Sequence, residues 1–115
     1  MGEEQRRFQR VPVPLALSCR RVGSLTDVWR QAALLDLSAG GVSFESQEPY
    51  EPSEVLGLEL HLPGASAPLA LRGRVVRSLP RPAGVTECAA EFIGVTPTQQ
   101  AGIDDLVAFL KRRPG

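Results

Sequence analysis

Leu34-Leu35-Asp36-Leu37-Ser38-Ala39-Gly40-Gly41-Val42-Ser43-Phe44 is the stretch on which the fold turns. It ends an apolar run, Val28 to Leu37, and begins a second run in which Val42, Phe44 and Ser46 alternate. Two short β-runs on either side of a glycine pair read as strands joined by a turn. Side chains alternate faces along a strand, so Asp36 and Ser38 are expected on one side. Leu35 and Leu37 are then expected in the core. The glycines permit a sharp turn, or close approach of a ligand to the backbone. An acceptor, a hydroxyl and open backbone suit a ligand with phosphates and a purine edge, provided guanidinium groups lie nearby. The same residues also suit a capped β-turn, with Asp36 and Ser38 bonding adjacent backbone.

The flanking sequence continues the β pattern. Upstream, Val11, Val13, Leu15, Leu17 and Cys19 alternate, and Pro12 and Pro14 start this strand at a sheet edge because they lack backbone donors. Downstream, Leu56, Leu58, Leu60 and Leu62 alternate, with His61 on the opposite, solvated face. Leu69, Leu71 and Val75 mark a fifth run, and Val85 to Val95 a sixth. Pro63-Gly64 and Pro80-Arg81-Pro82-Ala83-Gly84 separate these later runs. Short strands at close spacing predict a mainly β domain, a small antiparallel barrel or sandwich. The period then changes. Thr96, Pro97 and Gln99 form a helix start with a capping box, and Ile103, Leu106, Val107 and Leu110 follow helical spacing. Lys111, Arg112 and Arg113 complement the negative end of the helix dipole. The expected organisation is a flexible segment 1–10, a β-domain 11–95 and a helix 96–113 laid on it, all one domain.

A chain of 115 residues is long enough for one hydrophobic core. No apolar stretch approaches a membrane span, and the start carries no apolar signal-peptide core, so the expectation is a cytoplasmic protein without a membrane partner. Formal net charge is zero, which gives no electrostatic case for a nucleic-acid polymer. With aromatic residues at 5% and none clustered on one strand, a stacking single-strand binder is disfavoured. Twelve of the 13 basic residues are arginine, a bias that a GC-rich genome also produces. Cys19 and Cys88 lie far apart, and His61 is the only histidine. That leaves no metal-ligand spacing and no catalytic constellation. Neither a cofactor nor a reaction is therefore expected.

Arg6, Arg7 and Arg10 form a cluster that composition does not explain. Arg6 and Arg10 share a side whether the segment is helical or extended, while Arg7 shares it less well in an extended chain. Arginine pairs bidentately with phosphate or with a guanine edge, and stacks on a purine face. By itself the cluster also fits a solvated basic tail. Together, Arg6-x-x-x-Arg10 before a β-run and Asp36-x-Ser38-x-x-Gly41 some way downstream resemble the PilZ domain, the bacterial receptor module for cyclic di-GMP. The likeness covers nearly the whole chain. Leu71-Arg72-Gly73-Arg74-Val75-Val76-Arg77 resembles that family's later Gly-Arg-Val-Val strand, and Phe92 and Thr96-Pro97 precede a closing helix as they do there.

The resemblance implies a six-stranded antiparallel β-barrel with a C-terminal helix, and cyclic di-GMP as ligand. Arg6 and Arg10 would grip phosphates and guanine edges. Arg7, at a variable position of the motif, has a less defined part. Asp36, Ser38 and Gly41 would hold the other side of the ligand. Gln5, at a position that influences whether one ligand or a stacked pair binds, decides neither. The expected mechanism orders the N-terminal segment on binding and presents a new surface to an unidentified effector protein, in motility, exopolysaccharide production or development. The competing expectation is a non-binding adaptor of the same fold, acting through protein contacts alone.

Overall fold

The computed structural model describes residues 15–62 and 65–112. Six strands are present: β1 (Ala16–Arg21), β2 (Arg30–Leu37), β3 (Gly41–Ser46), β4 (Val55–His61), β5 (Leu69–Arg81) and β6 (Val85–Ile93). A helix, α1 (Pro97–Arg112), follows them. All neighbouring strands are antiparallel, and they close into a barrel in the order β1-β2-β3-β6-β5-β4. Closure leaves β4 paired with both β1 and β5, as the alternation of Leu56, Leu58 and Leu60 into the interior requires. His61 lies on the outer face, with Nε2 3.6 Å from Glu59 Oε1.

The interior is filled by one cluster. Phe44, Tyr50, Leu56, Cys88 and Ile103 are fully buried, with Leu17, Cys19, Leu58 and Val75 almost so. Each leucine-sized side chain removed from water stabilises the fold by about 1.5–3 kcal/mol. Phe44 meets the Tyr50 ring edge-on, with centroids 6.4 Å apart. The Arg21 guanidinium lies over the Tyr50 ring at 4.8 Å, held there by Glu48 and Glu54 at 2.8 Å each. Both cysteines are buried and reduced, and burial pushes the Cys19 thiol up to about 12 and raises that of Cys88.

Two β-bulges depart from simple alternation. Leu34 pairs with Phe44 and Asp36 with Ser43, so Leu35 is an extra residue in β2. The bulge reverses the expected parity. Leu34 and Leu37, not Leu35 and Leu37, enter the core, and Leu35 is only half-buried. In β5, Val75 pairs with Ala90 and Arg77 with Ala89, so Val76 is extra and turns outward. Strand limits shift as well. β5 runs through Pro80 to Arg81, where the sequence suggested a separator, and β6 ends at Ile93, short of Val95. Pro80 is tolerated because, past the bulge, β5 pairs with β6 alone, and a residue with no N–H can face the unpaired edge.

The helix begins with the expected capping box. The Thr96 amide donates to Gln99 Oε1 at 2.8 Å, and the Gln99 amide donates to Thr96 Oγ1 at 3.1 Å. Ile103 plugs the end of the barrel, and Leu106, Val107 and Leu110 pack against the core from above. Gln99 Nε2 donates to the Ala70 carbonyl at 2.9 Å, and Gln100 Nε2 to the Ala39 carbonyl at 3.2 Å. The first turn of α1 is thus fastened to β5 and to the β2–β3 turn.

Candidate ligand-binding site

The two bulges fall in one cross-strand row. Asp36 is paired with Ser43, Ser43 with Ala89, and Ala89 with Arg77. Neighbouring strands lie ~4.8 Å apart, so Asp36 and Arg77 stand about 14 Å apart along the sheet. Ser43 and Ala89 between them are small, and beside them Gly41 is paired with Glu91. An acidic group and a guanidinium thus flank a floor with almost no side-chain relief. The result is a depression of about 300 Å³ on the outer wall, lined by Asp36, Ser38, Gly40, Gly41, Val76 and Arg77 as well as the floor residues. That volume is at the lower limit of pockets that bury a small molecule, and the depression is open on one side. A ligand larger than a single ring system needs a second surface over it.

Gly41 is required by packing. A Cβ at this position would lie 2.5 Å from the Ala90 carbonyl oxygen of β6. The contact is with backbone, so β3 and β6 would have to separate. At the neighbouring Gly40, a Cβ would meet nothing within 4 Å. The turn is held through its carbonyls. The Ser38 amide donates to the Gly41 carbonyl at 2.9 Å and the Phe92 amide to the Gly40 carbonyl at 2.9 Å. Ser38 Oγ also donates to the Gly41 carbonyl, at 3.3 Å. Among the described residues the Ala39 and Gly40 amides donate to no protein acceptor. The turn therefore offers N–H donors and one adaptable hydroxyl to acceptor oxygens, and Asp36 offers an acceptor to donor groups such as a guanine edge.

Of the residues expected from sequence, Asp36, Ser38 and Gly41 lie together in this depression, Asp36 and Ser38 both exposed. Arg6, Arg7 and Arg10 lie outside the described residues. Arg77 and Val76 were not expected. Their place depends on a bulge and on the pairing of β5 with β6, and neither has a signature in the period-two pattern of β5. Glu91, at the rim, is occupied by Arg74, Nη1 to Oε2 at 3.6 Å. Among the described residues no group of three metal-ligating side chains occurs, and no helix is long and apolar enough to cross a membrane.

The PilZ domain model matches residues 4–109 of the chain, which includes both motifs. Among curated protein sequences there is no match. Solved structures share the fold at low identity. The inhibitor of motility MotI/DgrA of Bacillus subtilis superposes with a TM-score of 0.63 at 17% identity, covering 90% of this chain and 47% of that one. YcgR of Escherichia coli, in complex with c-di-GMP, gives 0.65 at 17%, covering 84% and 42%. The PilZ domain of YcgR with c-di-GMP gives 0.64 at 16%, covering 86% and 83%. The chain spans about half the length of the first two proteins and most of the isolated domain.

Proposed function

The chain belongs to the PilZ domain family, and from that premise we propose that it is a receptor for cyclic di-GMP that signals to a separate effector protein. It works by binding, with no reaction of its own. The observation that carries this reading is the depression at the β2–β3 turn, where an acceptor, a hydroxyl, free amides and a guanidinium converge on a flat floor. Asp36 accepts from a guanine edge. Ser38 and the turn amides donate to phosphate or guanine oxygens. Arg77 pairs with phosphate or with O6 and N7 of guanine, and the exposed Val76 offers apolar contact to a purine face.

Arg6, Arg7 and Arg10 supply the second surface. The register that pairs Leu17 with Ala32, extended one residue before β1, would set Leu15 level with Leu34, two residues from Asp36. Arg10 is five residues before Leu15, a reach of about 17 Å at full extension, and Arg6 reaches about 30 Å. Both distances reach the depression, and the second spans it. Segment 1–10 acts as a clamp that closes over bound nucleotide, and the closed clamp is the surface that the effector reads.

Titration calorimetry of the chain with cyclic di-GMP tests the reading. Saturable heat is expected for the wild type, with loss of binding in Arg6→Ala/Arg10→Ala and a loss of tenfold or more in Asp36→Ala. Absence of heat at high micromolar nucleotide with a folded protein would leave the competing reading, an adaptor that binds only protein.

A further inference from the structure

Three successive carbonyls in the β2–β3 turn are each held by a different part of the molecule. Gly41 is held by Ser38 within the turn, Gly40 by the Phe92 amide of β6, and Ala39 by Gln100 of α1. The last of these is the only one made by a side chain from outside the sheet. A trans peptide carries its C=O and N–H on opposite sides, and the described residues contain no cis bond. When the Ala39 carbonyl points to Gln100, the Gly40 N–H of the same peptide therefore points away from α1. Gly40 lines the depression, and no residue of α1 does. The Gly40 N–H is thus directed away from the helix, at a residue that lines the depression.

Little else fixes this peptide. Gly40 accepts either sign of φ, and apart from its chain neighbours nothing lies within 4 Å of where its Cβ would be. Rotation of the Ala39–Gly40 unit would turn a carbonyl, in place of an N–H, towards the ligand, and the glycine leaves φ on one side of that unit unrestricted. Gln100 is itself oriented. Its Nε2 also donates to Asp104 Oδ1, one helical turn on, at 3.0 Å. A carboxylate only accepts, so the amide must present its NH₂ end to both oxygens.

Resting on the ligand reading above, we propose that Gln100 is a positioning residue for the nucleotide. It latches the Ala39–Gly40 peptide so that the Gly40 N–H faces an acceptor oxygen of the ligand, phosphate or guanine carbonyl. The latch also joins the site to α1. A protein bound to that helix and a nucleotide bound to the turn act on one hydrogen bond, and any coupling between them is reciprocal.

The test uses the full chain with Gln100→Glu, Gln100→Ala and Gln100→Lys. Glutamate keeps the shape but removes the donor and sets a carboxylate against Asp104 and the Ala39 carbonyl. Lysine restores a donor of sufficient reach. The readouts are the Gly40 amide resonance without ligand, cyclic di-GMP affinity by calorimetry, and melting temperature. Glu and Ala are expected to move the Gly40 resonance and weaken binding about tenfold, the scale of one hydrogen bond, with melting temperature little changed. Lys is expected to recover most of the affinity. Affinity within twofold of wild type in both Glu and Ala variants overturns the role. So does weakened binding with an unmoved Gly40 resonance, or a Lys variant as weak as Ala. A wild-type chain that binds no cyclic di-GMP overturns the ligand reading and this role with it, whereas failure confined to the variants of a binding chain overturns the role alone.

Discussion

Leu34 and Leu35 are adjacent, chemically identical and placed in different surroundings by a single bulge. Leu34 is 8% exposed, opposite Phe44, whereas Leu35 is half-buried at the extra position. Leu34→Ala is expected to cost about 2–5 kcal/mol through lost burial and a cavity, and Leu35→Ala about 1 kcal/mol or less. Urea unfolding of the two variants checks this, and equal losses would contradict the bulge. Asp27 is a second position where a single residue matters. Its carboxylate accepts the Arg21 amide at 2.6 Å and lies near Arg30, and these contacts, the backbone hydrogen bond first, hold its pKa below the usual aspartate value. A folded-state pKa below the unfolded one stabilises the fold above the unfolded-state value of about 4. That contribution disappears as pH falls through the folded-state value. Acid titration of stability should therefore be shallower below pH ~4 in Asp27→Asn than in wild type. Asp36 and Ser38 were legible in the sequence because their chemistry and two-residue spacing are local. Leu34, Val76 and Arg77 were not, because a bulge is set by the register of two strands, and alternation along one strand carries no trace of it.

Among the elements, α1 was the easiest to read, because its start is encoded in four consecutive residues. Thr96 and Gln99 satisfy each other's amides, and Gln99 also reaches the Ala70 carbonyl. Thr96→Ala removes one acceptor at the helix start and is expected to lower stability by about 1 kcal/mol. Thr96→Ser, which keeps the oxygen, should lie within a few tenths of a kcal/mol of wild type. Chemical denaturation followed by circular dichroism measures both. A loss in Thr96→Ala no larger than in Thr96→Ser would mean that the cap adds nothing beyond the packing of Ile103. β5 was the hardest element to read. Its proline suggested an end, but the 13-residue strand runs through it to Arg81, because its distal half is paired on one side only. Pro80 on that open edge removes a donor that another chain could use, a common protection of exposed strand edges. β4 had neither difficulty. Paired on both sides without a bulge, it kept its period-two pattern from Val55 to His61.

For the molecule as a whole, ligand binding and folding are a single linked equilibrium. Barrel closure rests on pairing between strands, β4 with β1, and the core from Leu15 to Ile103 is built of protein side chains. Ligand is therefore expected to stabilise an already folded protein rather than to induce folding. A ligand that binds only the native state adds RT ln(1 + [L]/Kd), about 2.7 kcal/mol at one hundred times Kd. In a domain of this size each kcal/mol moves the melting temperature by about 4 °C or more. Cyclic di-GMP at that excess should raise Tm by about 10 °C, with the magnitude following the logarithm of ligand concentration. If Arg6, Arg10 and Arg77 pair with phosphate as proposed, salt screens those pairs and the shift should shrink as salt rises. Arg6→Ala/Arg10→Ala should retain the wild-type Tm without ligand, since charged arginines seldom enter a core, and should lose the shift. Differential scanning calorimetry at several ligand and salt concentrations separates the cases. A shift in wild type that survives loss of both arginines would place the ligand on the barrel alone, in the depression between Asp36 and Arg77. No shift in either protein would leave the barrel intact and the nucleotide reading without support.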